Sequence, residues 1–201
     1  RDVAQPGLPR DPRVRLEVFP HRWYSVAEQV RLPSLLRRLN VDLLHFPHFN
    51  VPLLSPKPFV VTVHDLILHD FPTDRATTLS ATGYALKRFA YRVVISRALA
   101  RAARICTVTH TSAAALRSRF PRSADKVVVT YEGPSDLAAH DDGQSDAVLI
   151  RALNVAPPFL FYVGNAYPHK NLALLLDVLP QLRAAHPTLQ LVIAGANDFF
   201  H

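Results

Sequence analysis

Five short stretches carry residue types that could do chemistry. The first runs Phe159 to Asn171, Phe-Leu-Phe-Tyr-Val-Gly-Asn-Ala-Tyr-Pro-His-Lys-Asn. Its basic residues, His169 and Lys170, follow Gly164 closely and lead into Leu172-Ala173-Leu174-Leu175-Leu176. A helix start leaves backbone N–H groups unbonded, which suits an anion, and Lys170 adds a full charge there. An ordinary strand-to-helix loop with a solvated lysine fits the same spacing, since one glycine is not a G-x-G-x-x-G fingerprint. The second stretch is His64-Asp65, directly after the apolar run Phe59 to Val63. An imidazole there can bond a hydroxyl or a phosphate oxygen, or simply tie down a neighbouring loop. Asp65 can orient His64 or cap the next segment, and capping is the simpler role. The third is His45-Phe46-Pro47-His48-Phe49-Asn50. Its two histidines suggest a metal pair, but Pro47 breaks the helix-face spacing and no cysteine or carboxylate cluster completes a site. No metal is expected. Last come Thr109 to Ser112 and Tyr131-Glu132-Gly133, which read as a helix cap and a turn.

The elements that must position these residues alternate between strand and helix. Phe159 to Val163 is too short for a helix and reads as a buried strand. Phe59 to Val63 is almost wholly apolar, as in a parallel strand covered on both faces. Val14 to Val18, Val41 to Phe46, Arg104 to Val108, Lys126 to Thr130 and Leu189 to Ala194 are expected as further strands. Helices are expected from a Ser25 cap to about Leu39, from Asp74 to about Ala103 with a break at Gly83, and from Thr111 to about Phe120. Ala147 to Leu153 can form a short helix. This order argues a parallel α/β sheet. Open sheets of that kind bind ligands beyond the carboxyl ends of their strands, where His45, His48, His64, Asp65, Glu132 and Lys170 all fall.

Composition narrows the classes. The chain has 201 residues, 49% of them hydrophobic, enough for a real core. A net charge of +7 invites nucleic acid or a membrane surface as partner. Only Lys57, Lys87, Lys126 and Lys170 are lysines, and no basic run forms a tail. Arg88, Arg92, Arg97, Arg101 and Arg104 cluster along one helical segment, read as its solvated face rather than a nucleic-acid surface. No apolar run is long enough to span a bilayer. The single Cys106 excludes an internal disulfide and points to a reducing cytoplasm. The sequence has no methionine and stops after one strand and its Gly195 turn. It therefore reads as an internal piece of a longer protein, expected to show no enzymatic turnover by itself.

Two motifs carry a family resemblance. Tyr162 to Leu172, as Tyr-Val-Gly-x-x-x-Pro-His-Lys-Asn-Leu, resembles the start of the nucleotide-sugar domain of retaining glycosyltransferases of family 4. Thr62-Val63-His64-Asp65 is similar to that family's Thr-x-His-Asp segment, and the two occur in the family's order. The resemblance covers the chain from about Val14 to its end. It implies a GT-B fold: two Rossmann-like domains with parallel sheets, truncated here at both ends. The expected division is an acceptor-side domain over 1–138, a connector over 139–158 and the start of a donor domain over 159–201.

The implied reaction moves a sugar, mannose-like as a family-level guess, from a nucleotide-diphosphate donor to an acceptor hydroxyl with retention. Polysaccharide or glycolipid synthesis is the implied setting. His64 and Asp65 take the catalytic positions. Gly164, Asn165, His169, Lys170 and Asn171 take the donor site, and His45, Phe46, His48 and Asn50 the acceptor pocket, with Phe49 as a second apolar wall. No cofactor is implied, because a lysine and oriented amides can stabilise a leaving diphosphate without a divalent ion. Partners would be the nucleotide sugar, a glycan or lipid-linked acceptor and the inner face of the membrane, but not nucleic acid. Asn165 stands where many members carry an arginine, and only His169 could make up that charge. Glu132 stands where the family often has an Asn-Gly pair. The rival reading is a non-catalytic basic α/β module docking on an anionic membrane or a glycan.

Overall fold

The structure is a computed structural model that describes residues 12–56, 58–71, 80–133 and 146–195. Two compact units divide the chain. One comprises Arg1–His64 with Tyr91–Val129, the other Asp65–Ala90 with Thr130–His201.

The first unit is built on a parallel four-stranded sheet in the order β1-β2-β3-β4. The strands are β1 (Leu44–Phe46), β2 (Phe59–Thr62), β3 (Arg104–Thr107) and β4 (Val127–Val129). Register pairs His45 with Val60, Val61 with Ile105 and Cys106 with Val128. The Val63 amide extends the ladder by donating to the Cys106 carbonyl at 2.9 Å. Phe59, Val61, Val63 and Ile105 are buried along this sheet, with Ile95 and Leu99 of α3 (Ala81–Arg101) and Leu116 of α4 (His110–Arg119). Each such side chain contributes about 1.5–3 kcal/mol by leaving water. The buried Thr107 hydroxyl donates to the Val63 carbonyl at 2.7 Å, so it costs the core no unpaired group.

Helix α1 (Val26–Leu39) shows why its ends fall where they do. Ser25 is the N-cap, its Oγ accepting from the Glu28 amide at 3.1 Å. Asn40 closes the helix in the left-handed region at φ 48°, with its amide on the Arg37 carbonyl. Glu28 in the first turn and Arg37 and Arg38 in the last suit the helix dipole. Pro33 lies inside the helix and is buried.

In the second unit, β5 (Phe159–Val163) and β6 (Gln190–Ala194) pair in parallel, joined through α6 (Leu172–Ala185). Two short helices, α2 (Ile67–Asp70) and α5 (Asp146–Ala152), belong to the same unit. Phe161 and Val163 on one face of β5 are 61% and 72% exposed.

Several expectations need correction. Val14 to Val18 forms no strand, because no neighbouring segment supplies a ladder for its alternating pattern. Helix α3 runs through Gly83 without a break, and α2 occupies what was expected to be loop. The front of the long helical tract, 74–79, lies outside the described residues, as does 139–145 of the connector. Arg104 is not on the helix but opens β3. Nor does Arg101 belong to a solvated face. Its guanidinium donates to the Leu53 carbonyl at 2.6 Å and the Ser55 carbonyl at 2.7 Å.

Candidate active site: the carboxyl ends of the parallel strands

In the first unit the expected residues gather where β1 and β2 end. His45 projects from β1, and its Nε2 lies 2.9 Å from Thr62 Oγ1. His64 follows β2, exposed, and its Nε2 donates to the Pro47 carbonyl at 2.9 Å, which puts a proton on that nitrogen. The imidazole therefore ties the end of β2 to the β1 loop. Ser112 donates its hydroxyl to the His64 carbonyl at 3.1 Å. Thr109 caps α4, accepting from the Ser112 amide at 3.0 Å. The Thr109–Ser112 turn is thus a cap that also fixes the backbone at His64. In the second unit, Asp65 Oδ1 accepts from the Ile67 amide at 2.9 Å, a local turn contact one residue before the N-cap Leu66 of α2, and the residue is exposed. Glu132 is exposed after β4.

The β1 loop forms one wall of a cavity of about 350 Å3. Phe46, His48 and Asn50 line it with Trp23, Tyr24 and Glu28. Phe49 does not. It is buried, its ring centroid 5.0 Å from that of Tyr91, so it is a core residue and not a pocket wall. His45 does not line the cavity either, and its ring bonds Thr62 instead. His45 and His48 therefore address different partners and make no metal pair.

Trp23, Tyr24 and Glu28 carry no helical or strand periodicity, so sequence reasoning passed over them. One signal was present: Ser25-x-x-Glu28 is a capping-box spacing. Here Glu28 Oε2 reaches one residue further back, to the Tyr24 amide at 2.6 Å, and also accepts from Asn50 Nδ2 at 2.9 Å. Tyr24 adopts φ 56° to present that amide. Partial desolvation of this largely exposed residue, and secondarily the Glu28 charge, raises the pKa of the Tyr24 hydroxyl.

In the second unit the glycine loop has the expected outline with a different amide inventory. Gly164 leaves β5 at φ 141°, a conformation open to glycine, and its amide donates to the Ala194 carbonyl at 2.9 Å. The Tyr162 hydroxyl donates to the Asn165 carbonyl at 2.7 Å and pins the loop. Pro168–Lys170 then forms a single 3-10 turn before α6. That turn uses the Lys170 amide on the Tyr167 carbonyl at 2.8 Å and the Asn171 amide on the Pro168 carbonyl at 3.1 Å. Leu174 donates to the Asn171 carbonyl at 3.2 Å. The unspent amides of the helix start are therefore those of Leu172 and Ala173, not those of Lys170 and Asn171. The Lys170 side chain is exposed, and Asn171 is left-handed at φ 52°. The His169 ring lies 5.8 Å from Tyr167 and 6.1 Å from Phe71. Asn165 Oδ1 is buried with no partner among the described residues. An amide supplies no charge, so the arginine of the resembling family has no electrostatic replacement at 165.

A larger hollow of about 570 Å3 lies against α6 and β6, lined by Leu176, Leu179, Leu189, Leu191 and Arg183. None of the glycine-loop residues lines it. Among the described residues no helix is long and apolar enough to cross a membrane. Nor do any three His, Cys, Asp or Glu side chains among them gather as metal ligands.

Parallel α/β units with polar residues at the strand ends, and a strand–glycine–helix crossover beside a lysine, are Rossmann-like features of the kind a GT-B glycosyltransferase is built from. The chain belongs to glycosyltransferase family 4, whose family model matches residues 1–134. A second model, glycosyl transferases group 1, matches residues 150–200. No curated protein matches the chain. Its chemistry is accordingly glycosyl transfer, which moves a glycosyl group from a nucleotide-sugar donor to a glycan acceptor and releases the nucleotide.

Proposed function

We propose that this chain belongs to a transferase that moves a hexose, mannose-like, from a nucleotide-diphosphate sugar to an acceptor hydroxyl with retained configuration and no divalent metal. The acceptor belongs to a polysaccharide or a lipid-linked glycan, met at the cytoplasmic face of a membrane. In this reading residues 1–138 serve the acceptor, 139–158 connect, and 159–201 begin the donor domain. The observation that carries the proposal is the crossover from β5 to α6. Gly164 turns the chain, Tyr162 pins the loop, and two unspent amides at Leu172 and Ala173 follow the exposed Lys170. A diphosphate leaving group gains charge as the glycosidic bond breaks. A lysine beside oriented amides stabilises that charge without an ion. His64 and Asp65 stand at the carboxyl end of β2, where a sugar hydroxyl would be held.

Calorimetric titration of GDP, UDP and ADP into the protein and into Lys170→Ala tests the donor assignment. A charge-assisted hydrogen bond is worth about 1.5–3 kcal/mol, so Lys170→Ala should weaken the preferred diphosphate about tenfold to a hundredfold. Lys170→Gln, which keeps length but not charge, should lose nearly as much. EDTA should leave the wild-type affinity unchanged. Equal affinities in wild type and Lys170→Ala would remove this lysine from the donor site. Binding abolished by EDTA would refute metal independence.

A further inference from the structure

The cavity between the start of α1 and the β1 loop has a composition that selects a ligand. Trp23 borders it while 80% exposed, an unusual state for the largest apolar side chain. The ring face is available to a partner. Around it stand Tyr24, with its hydroxyl 3.4 Å from His48 Nδ1, and the Glu28 carboxylate. Glu28 Oε2 already accepts two donors, which leaves Oε1 as the acceptor with no bond from the described residues. Asn50 spends its Nδ2 on Glu28, which leaves its Oδ1 as a second acceptor. At about 350 Å3 the space is at the lower end of the range for small-ligand sites.

We propose that this cavity holds one neutral pyranose ring of the acceptor glycan, with its C–H face stacked on Trp23 and its hydroxyls donating to Glu28 and Asn50. The polarised C–H bonds of a sugar face meet the negative face of the indole. Sugar hydroxyls are donors, and the cavity presents acceptors. The Tyr24 hydroxyl, whose proton lies toward His48 Nδ1, offers its oxygen as a further acceptor. An anionic head group is disfavoured by the unneutralised Glu28 charge. A quaternary ammonium would suit the aromatic wall and the carboxylate. It has no use, however, for the directional groups of Asn50 and Tyr24. The inference rests on the acceptor-side part of the proposed function and assigns Trp23, Tyr24 and Glu28 to it.

Trp23 is the only tryptophan in the chain, so its fluorescence reports this cavity alone. The protein is titrated separately with neutral disaccharides of mannose, glucose and galactose, with choline chloride, and with phosphatidylglycerol vesicles. A saturable blue shift with at least one disaccharide, and none with choline or vesicles, is expected. Ligand-observed NMR then follows the same disaccharide on Trp23→Ala and Glu28→Gln. Each should weaken it about tenfold, the scale of one interface anchor. Glu28→Gln retains an acceptor for the Tyr24 amide, so its loss reads recognition and not folding. A shift with choline or vesicles alone, no shift with any ligand, or unchanged disaccharide binding in Trp23→Ala would overturn the proposal. GDP, UDP and ADP binding is measured independently. Loss of that activity with disaccharide binding intact would remove the transferase reading and leave a glycan-binding cavity.

Discussion

Arg101→Leu should destabilise the first unit through its backbone, although arginine on a helix is ordinarily a surface charge. The guanidinium spans two carbonyls of the segment between β1 and β2, Leu53 at 2.6 Å and Ser55 at 2.7 Å. Ser55 is 1% exposed, so that segment is held against the core. Hydrogen bonds to a charged group are each worth about 1.5–3 kcal/mol, or about 3–6 for the pair. Arg101 is only half-buried, and water can replace part of what the side chain supplied. Halving the sum for that solvation gives a loss of about 1.5–3 kcal/mol for Arg101→Leu. Arg101→Lys should recover about half, because an ammonium is a point charge and cannot fork across two acceptors. Urea denaturation followed by far-UV circular dichroism measures both values, with the m-value checked for constancy. A loss under about 0.5 kcal/mol for Arg101→Leu, the usual size of a surface substitution, would refute the reasoning. Equal stability of Arg101→Lys and wild type would show that charge matters and the fork does not. Neither variant should change binding to phosphatidylglycerol vesicles, since the guanidinium faces the protein.

Thr107→Val removes the hydroxyl on the Val63 carbonyl at constant shape and should cost about 1 kcal/mol in urea denaturation. No loss would mean that the bond is energetically idle. Gly164→Ala should cost more than about 1 kcal/mol, because an alanine resists φ 141° even though the space for its Cβ is free of contacts under 3.4 Å. Unchanged stability there would show that the turn relaxes to another conformation. His64→Ala should lower the transfer rate at least about tenfold, equivalent to about 1.4 kcal/mol of barrier. If the folded fraction keeps its rate while stability falls, the bond to the Pro47 carbonyl is the histidine's whole role.

What the sequence made legible follows from how local each determinant is. Phe159 to Val163 appears as a strand with the expected bounds, because Pro157-Pro158 and Gly164 stop the apolar run at both ends. The first-unit strands are shorter than expected at one or both ends, since their register is set by neighbours and not by their own residues. Val14 to Val18 has the alternation of a strand, but alternation describes faces, while a strand also needs a ladder. Phe49 and Phe46 are indistinguishable as residue types. The contact of Phe49 with Tyr91 comes from a helix far along the chain, and that contact makes one of them core and leaves the other at the cavity. The same distance in sequence hid the Arg101 fork and the Glu28–Asn50 bond. The placement of candidate residues was therefore legible where a strand end fixes it, at His64 and Gly164. It was illegible where a helix N-terminus is bent back on a loop, at Trp23 and Tyr24. That difference sets where the chemistry of this chain can vary. Residues at strand ends inherit their position from the sheet. Trp23 depends on the Glu28 bond to the Tyr24 amide, a single local contact that can change without disturbing the core.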